Sequence, residues 1–119
     1  MVGIKIIIMN TLRNKVQLIG NLGNDPEIIN LESGKKLAKF SIATNESYKN
    51  SKGEKVTDTQ WHNVVAWGKT AEIIEKYVTK GKEVAIEGKL TSRSYETKEG
   101  EKRYITEVVC NELLMLGNK

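Results

Sequence analysis

The chain has 119 residues, 39% hydrophobic and 29% charged, with 19 Lys and Arg set against 15 Asp and Glu for a net charge of +4. That length allows one domain around one core, and the modest basic excess permits a polyanionic partner without demanding one. A single Cys and a single His are too few for a zinc site or an intramolecular disulfide, and no Walker loop, dinucleotide fingerprint or Ser-His-Asp pattern points to catalysis, a metal or a cofactor.

Residues 1–12 carry the apolar run Ile4-Lys5-Ile6-Ile7-Ile8-Met9, too short to span a bilayer and without a small-residue cleavage site, so neither a membrane anchor nor a signal is expected. They read either as a leader before a second possible start at Met9 or as an extra strand on a sheet edge. From Asn14 to Leu22, Val16, Leu18 and Gly20 alternate with polar neighbours, the period of a first strand. Gly23-Asn24-Asp25-Pro26 is a turn, Glu27 to Leu31 continues extended, and Ser33-Gly34 turns again. Leu37 to Glu46 forms a second strand with Ala38, Phe40 and Ile42 on one side. Ser47 to Asp58 holds Gly53, three lysines and little apolar content, and is expected to be a mobile loop.

Gln60 to Lys69 is the third strand, with both tryptophans on one face: Trp61, Asn63, Val65 and Trp67 point one way, His62, Val64 and Ala66 the other. Thr70 to Lys80 is the one helix, with Thr70 as its N-cap, Ala71, Ile74, Tyr77 and Val78 as its apolar stripe and Gly81 as its stop. Lys82 to Thr97 is a fourth strand, in which Val84, Ile86, Gly88 and Leu90 face inward while Lys89, Thr91, Arg93 and Tyr95 face outward. A hairpin turn at residues 98–101 leads into the last strand, from Lys102 to about Leu116, which carries Cys110 in an apolar run that predicts a buried, inert thiol.

Five strands with a helix between the third and fourth is the order of the five-stranded Greek-key barrel called the OB-fold, an all-β fold with one helix. Residues 13–117 are assigned to it, leaving 118–119 as the end of the chain. Trp61 and Trp67 lie roughly 20 Å apart along the strand at about 3.3 Å per residue, too far to share one ligand ring. Either they fill a half-buried strand, or they offer two stacking surfaces to a polymer of flat rings. Trp61, Trp67, Tyr95 and Tyr48 all stand beside polar or cationic residues, which favours stacking; Phe40, Tyr77 and Tyr104 are left for packing.

Asn14-Lys15-Val16, Ile19 to Gly23, Asp25-Pro26-Glu27, Trp61 to Val65, Gly68-Lys69, Lys80-Gly81, Ile86 to Leu90 and Tyr104 to Val109 together resemble the bacterial single-stranded-DNA-binding proteins over about residues 13–117. The resemblance implies sequence-independent binding and protection of single-stranded DNA in replication, recombination and repair, in the cytoplasm with the nucleoid, by a homotetramer without enzymatic activity; a dimer is the second choice. It implies stacking by Tyr48, Trp61, Trp67 and Tyr95, and phosphate contacts from Lys15, Lys69, Lys80 and Arg93, to which Lys49 beside Tyr48 is added. Asn63 stands where arginine is frequent in the family, and His62 matches a histidine at a subunit contact. The family also carries a disordered linker and an acidic tip that recruits enzymes; these 119 residues stop at Leu116-Gly117-Asn118-Lys119, so tail-mediated enzyme partners are not expected of them.

Two rival readings give different expectations. An accessory primosome-type protein on the same fold would have a face without stacking aromatics, and a nuclease would cluster carboxylates around a metal. Here the acidic residues are scattered among lysines.

Overall fold

The computed structural model describes residues 13–117; the leader or extra strand expected within residues 1–12 and the end at 118–119 lie outside the described residues. Six strands, β1 (Val16–Leu22), β2 (Glu27–Asn30), β3 (Lys36–Lys49), β4 (Lys55–Trp67), β5 (Glu83–Glu96) and β6 (Lys102–Met115), join one helix, α1 (Gly68–Tyr77). The sheet runs β1-β5-β6-β4-β3-β2, and an added β1–β3 pairing at Asn21–Ala43 and Leu22–Ile42 closes β1, β5, β6, β4 and β3 into a five-stranded barrel. β2 is a short outer strand on β3, so the helix falls between the third and fourth strands of the barrel, as the OB-fold reading expects.

The barrel is filled by the alternating positions. Ile42, Val64, Ala66, Val84, Ile86 and Val108 are buried, and Ala71, Ile74 and Val78 of the helix segment plug the open end. Gly88 marks a register shift where β5 bends against β6; a Cβ there would lie 2.0 Å from the Val109 carbonyl oxygen, so only glycine permits the approach. At the other end of the first strand, the Asn14 side-chain amide donates to the Leu90 carbonyl and accepts from the Leu90 N–H, tying β1 to β5. Cys110 is buried with its thiol donating to the Glu112 carbonyl at 3.2 Å, and burial pushes its pKa up to about 11.

Several local expectations are corrected. Residues 47–58 are not a mobile loop: β3 and β4 continue in unbroken register to Lys49–Lys55, and Asn50 organises the tip by accepting from the Lys52 and Glu54 N–H groups. This arm leaves the barrel with both faces in solvent, so no apolar alternation marks it as strand. Thr70 does not cap α1. The helix starts at Gly68, whose φ of +62° turns the chain directly from Trp67 into the first helical turn, and it ends at Tyr77, before Lys80. Tyr77 and Leu90 are exposed rather than packed, and Tyr104, at 74% exposure, lies on the projecting β5–β6 hairpin, where no core is available to receive it.

Candidate nucleic-acid interface

The outer face of β4 carries the site. Trp61 is 62% exposed and Trp67 46%, whereas Val65 between them is buried. Burial comes from β6, which pairs in parallel with β4 at Val64–Val108, Val65–Val109 and Ala66–Cys110 and brings the base of the β5–β6 hairpin alongside. Trp67 therefore lines a trough rather than a flat strand, and Trp61 stands next to Asn63 beyond its other end.

Two grooves make up that trough. One, of about 510 Å³, runs between Trp67, Lys39, Thr91, Arg93 and Glu107. The other, of about 300 Å³, runs between Asn24, Ser41, Asn63, Ile105 and Glu107. Both include Lys39, Val65 and Glu107, so they are continuous.

Trp61 has a built seat. The turn after β1 is pinned to β3 through Asn24, whose side-chain oxygen accepts from the Ser41 N–H at 3.1 Å and is 2.8 Å from the Ser41 hydroxyl. Gly23 of that turn lies directly beneath the indole, where a Cβ would sit 2.4 Å from Trp61 Cζ3. The same turn is joined to the segment after α1 by the Lys80 N–H, which donates to the Asp25 carboxylate at 2.8 Å.

The other expected residues fall into distinct places. Tyr95 shares the outward face of β5 with Arg93, paired across the hairpin with Arg103. Tyr48 pairs with Val56, in the register that Ile42–His62 and Phe40–Val64 also follow; it therefore leaves the opposite face of the β3–β4 ribbon from Trp61 and is not part of the trough. Lys49 stands at the tip of that arm and Lys69 in the first turn of α1. Lys15 is on another surface altogether: it pairs with Glu87 at 3.1 Å and shares the β1 face of Gln17 and Ile19. Lys15, and next Gln17, hold the Glu87 carboxyl below its usual range.

Arg93 does reach the trough, but it is engaged. Its Nε and Nη2 donate to the two oxygens of Glu107 at 3.1 and 3.2 Å, a fork-to-fork pair that raises the guanidinium pKa. Lys39 and Glu107 were not singled out in the sequence. Lys39 alternates with the buried Ala38 and Phe40 and so must face outward, a signal that was available; among the described residues it makes no ion pair. Glu107 reads in the sequence as one more carboxylate among cations, and only the strand register sets it beside Arg93.

His62 lies on the face opposite the tryptophans, half-buried, its Nε2 3.0 Å from the Thr44 hydroxyl. Among the described residues no group of His, Cys, Asp and Glu is placed to hold a metal ion, and no helix is long and apolar enough to cross a membrane.

Residues 13–116 match the model of the single-strand binding protein family. The chain belongs to that family. A single-stranded DNA-binding protein 1 of Chlorobaculum tepidum is 50% identical over 107 residues, covering 89% of this chain and 66% of its own length. The Xylella fastidiosa single-stranded DNA-binding protein 1 is 45% identical over 107 residues, covering 89% and 79%, and a Neisseria meningitidis relative is 42% identical over 106 residues, covering 89% and 61%. The chain thus spans just under two thirds of the Chlorobaculum and Neisseria relatives. Among solved structures, the Plasmodium falciparum SSB complex with ssDNA superposes with a TM-score of 0.79 at 35% identity, covering 87% of this chain and 95% of that one. The single-strand binding protein family and the barrel agree with the fold read from strand order.

Proposed function

We propose that this single-strand binding family member binds and protects single-stranded DNA without sequence preference, by stacking bases on aromatic rings and meeting phosphates with lysines, and that it acts by binding rather than by catalysis. The observation that carries the reading is the pair of exposed indoles on the outer face of β4, Trp67 lining the trough and Trp61 beyond Asn63 at its other end, with Lys39 between them and in no ion pair among the described residues. Indoles that stay exposed some distance apart on one face suit separate bases of one strand, since every base has a π-face. Tyr95 extends this path outward along the β5–β6 hairpin, and Lys69 and Lys80 flank it; Tyr48 and Lys49 serve DNA that wraps to the far face of the β3–β4 arm. The names of the relatives and the ssDNA-bound neighbour support the substrate.

Service in replication, recombination and repair, with the chain acting in the cytoplasm at the nucleoid, completes the reading. The acting form is a homotetramer, with His62 near a subunit contact. Its support is an apolar groove of about 700 Å³ on the outer surface of β1, β5 and β6, bordered by the exposed Ile19, Ile73 and Leu114. Fluorescence anisotropy of labelled oligothymidine tests the binding: saturable binding that duplex DNA competes for poorly supports it, and equal affinity for duplex and single strand refutes it.

A further inference from the structure

We propose that Glu107 is a positioning residue that withholds the Arg93 charge from DNA phosphates and fixes the guanidinium as a flat, base-facing surface beside Trp67. The inference rests on the single-stranded-DNA reading of the trough. Glu107 has a side chain only 7% exposed, whereas that of Arg93 is 51% exposed, so the carboxylate is the fixed partner and the guanidinium reaches out from it into the groove. Both carboxylate oxygens are occupied, by Nε and Nη2, and this two-point contact sets the plane of the guanidinium and not only its position. Across the pair, Thr91 is the register partner of Glu107 and its hydroxyl donates to the Glu107 carbonyl at 3.4 Å, which anchors the base of the clamp.

A phosphate on the Nε–Nη2 edge would have to break this fork and leave a buried carboxylate without a partner, and one at the outer edge would meet a guanidinium whose charge that carboxylate already offsets. Charge already cancelled by a fixed carboxylate also releases no counterions when DNA arrives. What stays available is the exposed face and outer edge of the guanidinium, and these stack on or hydrogen-bond to bases. Lys39, in the same groove and free of any ion pair among the described residues, is the cation that meets the backbone.

The salt dependence of oligothymidine binding separates these roles. Each phosphate neutralised on a single strand contributes about 0.7 to the slope of log affinity against log salt. Glu107→Gln frees a cation without changing the shape of the site, so binding should tighten at low salt and the slope should steepen by about 0.7. The double variant Arg93→Gln with Glu107→Gln removes one charge of each sign, and its slope should equal that of the unsubstituted chain even though its affinity falls. A slope unmoved in Glu107→Gln, or flattened by about 0.7 in the double variant, would overturn the proposal, because Arg93 would then be an ordinary phosphate contact. If thermal unfolding shows that the single variant does not fold, the double variant decides alone. Failure of the unsubstituted chain to bind oligothymidine would remove the functional reading and this inference together, whereas normal binding with the wrong slopes removes only the inference.

Discussion

The Trp61 indole rests on Gly23, so closely that a β-carbon at residue 23 would fall 2.4 Å from its Cζ3. A turn held to β3 by Asn24 therefore seats an exposed aromatic ring that no core packing could orient. Gly23→Ala should shift the ring, change the tryptophan emission and weaken oligothymidine binding by less than the roughly 1–3 kcal/mol of a whole stack. The melting temperature should move little, since the clash is relieved at the outer end of a side chain. Unchanged affinity and emission would show that the seat does not orient the ring.

Removing the rings themselves should cost more. Trp61→Ala and Trp67→Ala are each expected to lose about 1–3 kcal/mol of binding, read by anisotropy, with far-ultraviolet circular dichroism unchanged. Standing at opposite ends of the trough, the two losses should add in the double variant. Stabilities that collapse with the affinities would instead make the tryptophans core residues.

Lys39→Gln should flatten the salt slope by about 0.7, because Lys39 faces the trough unpaired among the described residues. Lys15→Gln should leave the slope alone, its ammonium being engaged with Glu87 on another surface. The reverse pattern would move the DNA path to the β1–β5 side of the barrel.

The fold and the tryptophan face were legible because burial on one side of each barrel strand writes a period of two into the sequence, as in Ala38, Phe40 and Ile42 or Val84 and Ile86. That signal stops where the hairpins leave the barrel. Residues 47–58 have solvent on both faces, and their polar composition reads as loop although Asn50 holds a tight turn. For the same reason Tyr104 reads as a packing residue although it is exposed, whereas Tyr77 falls on the helical stripe but ends α1 facing solvent. The Arg93–Glu107 fork needed knowledge of the β5–β6 register, which includes a shift at Gly88 that no spacing rule supplies.

Self-association should depend on the apolar groove and on His62. Leu114→Glu places a charge on a side chain 63% exposed in the isolated subunit, so it should lower the mass seen by light scattering without lowering the stability of the subunit. His62→Tyr should do the same and make DNA binding dependent on protein concentration. A wild-type mass that is already monomeric at micromolar concentration would contradict the assembly.

Cys110 gives a prediction in pH. Burial raises the thiol from its ordinary 9.0 to about 11 in the folded chain. The unfolded chain therefore loses this proton first. The contribution is full below about pH 9 and falls away as pH rises through about 11, so stability should decline over that window in the wild type and less in Cys110→Ala. Alkylation of the native thiol at pH 8 should be slow and become fast only on unfolding; rapid native labelling would mean that the site opens.

The most direct measurement of the central claim is titration of the intrinsic tryptophan emission with oligothymidine, followed by addition of duplex DNA and repeated for Trp61→Phe and Trp67→Phe. Stacking in the trough predicts quenching that saturates, survives the duplex and divides between the two single-tryptophan variants. Emission that does not respond to the oligonucleotide, or that duplex restores in full, would contradict it.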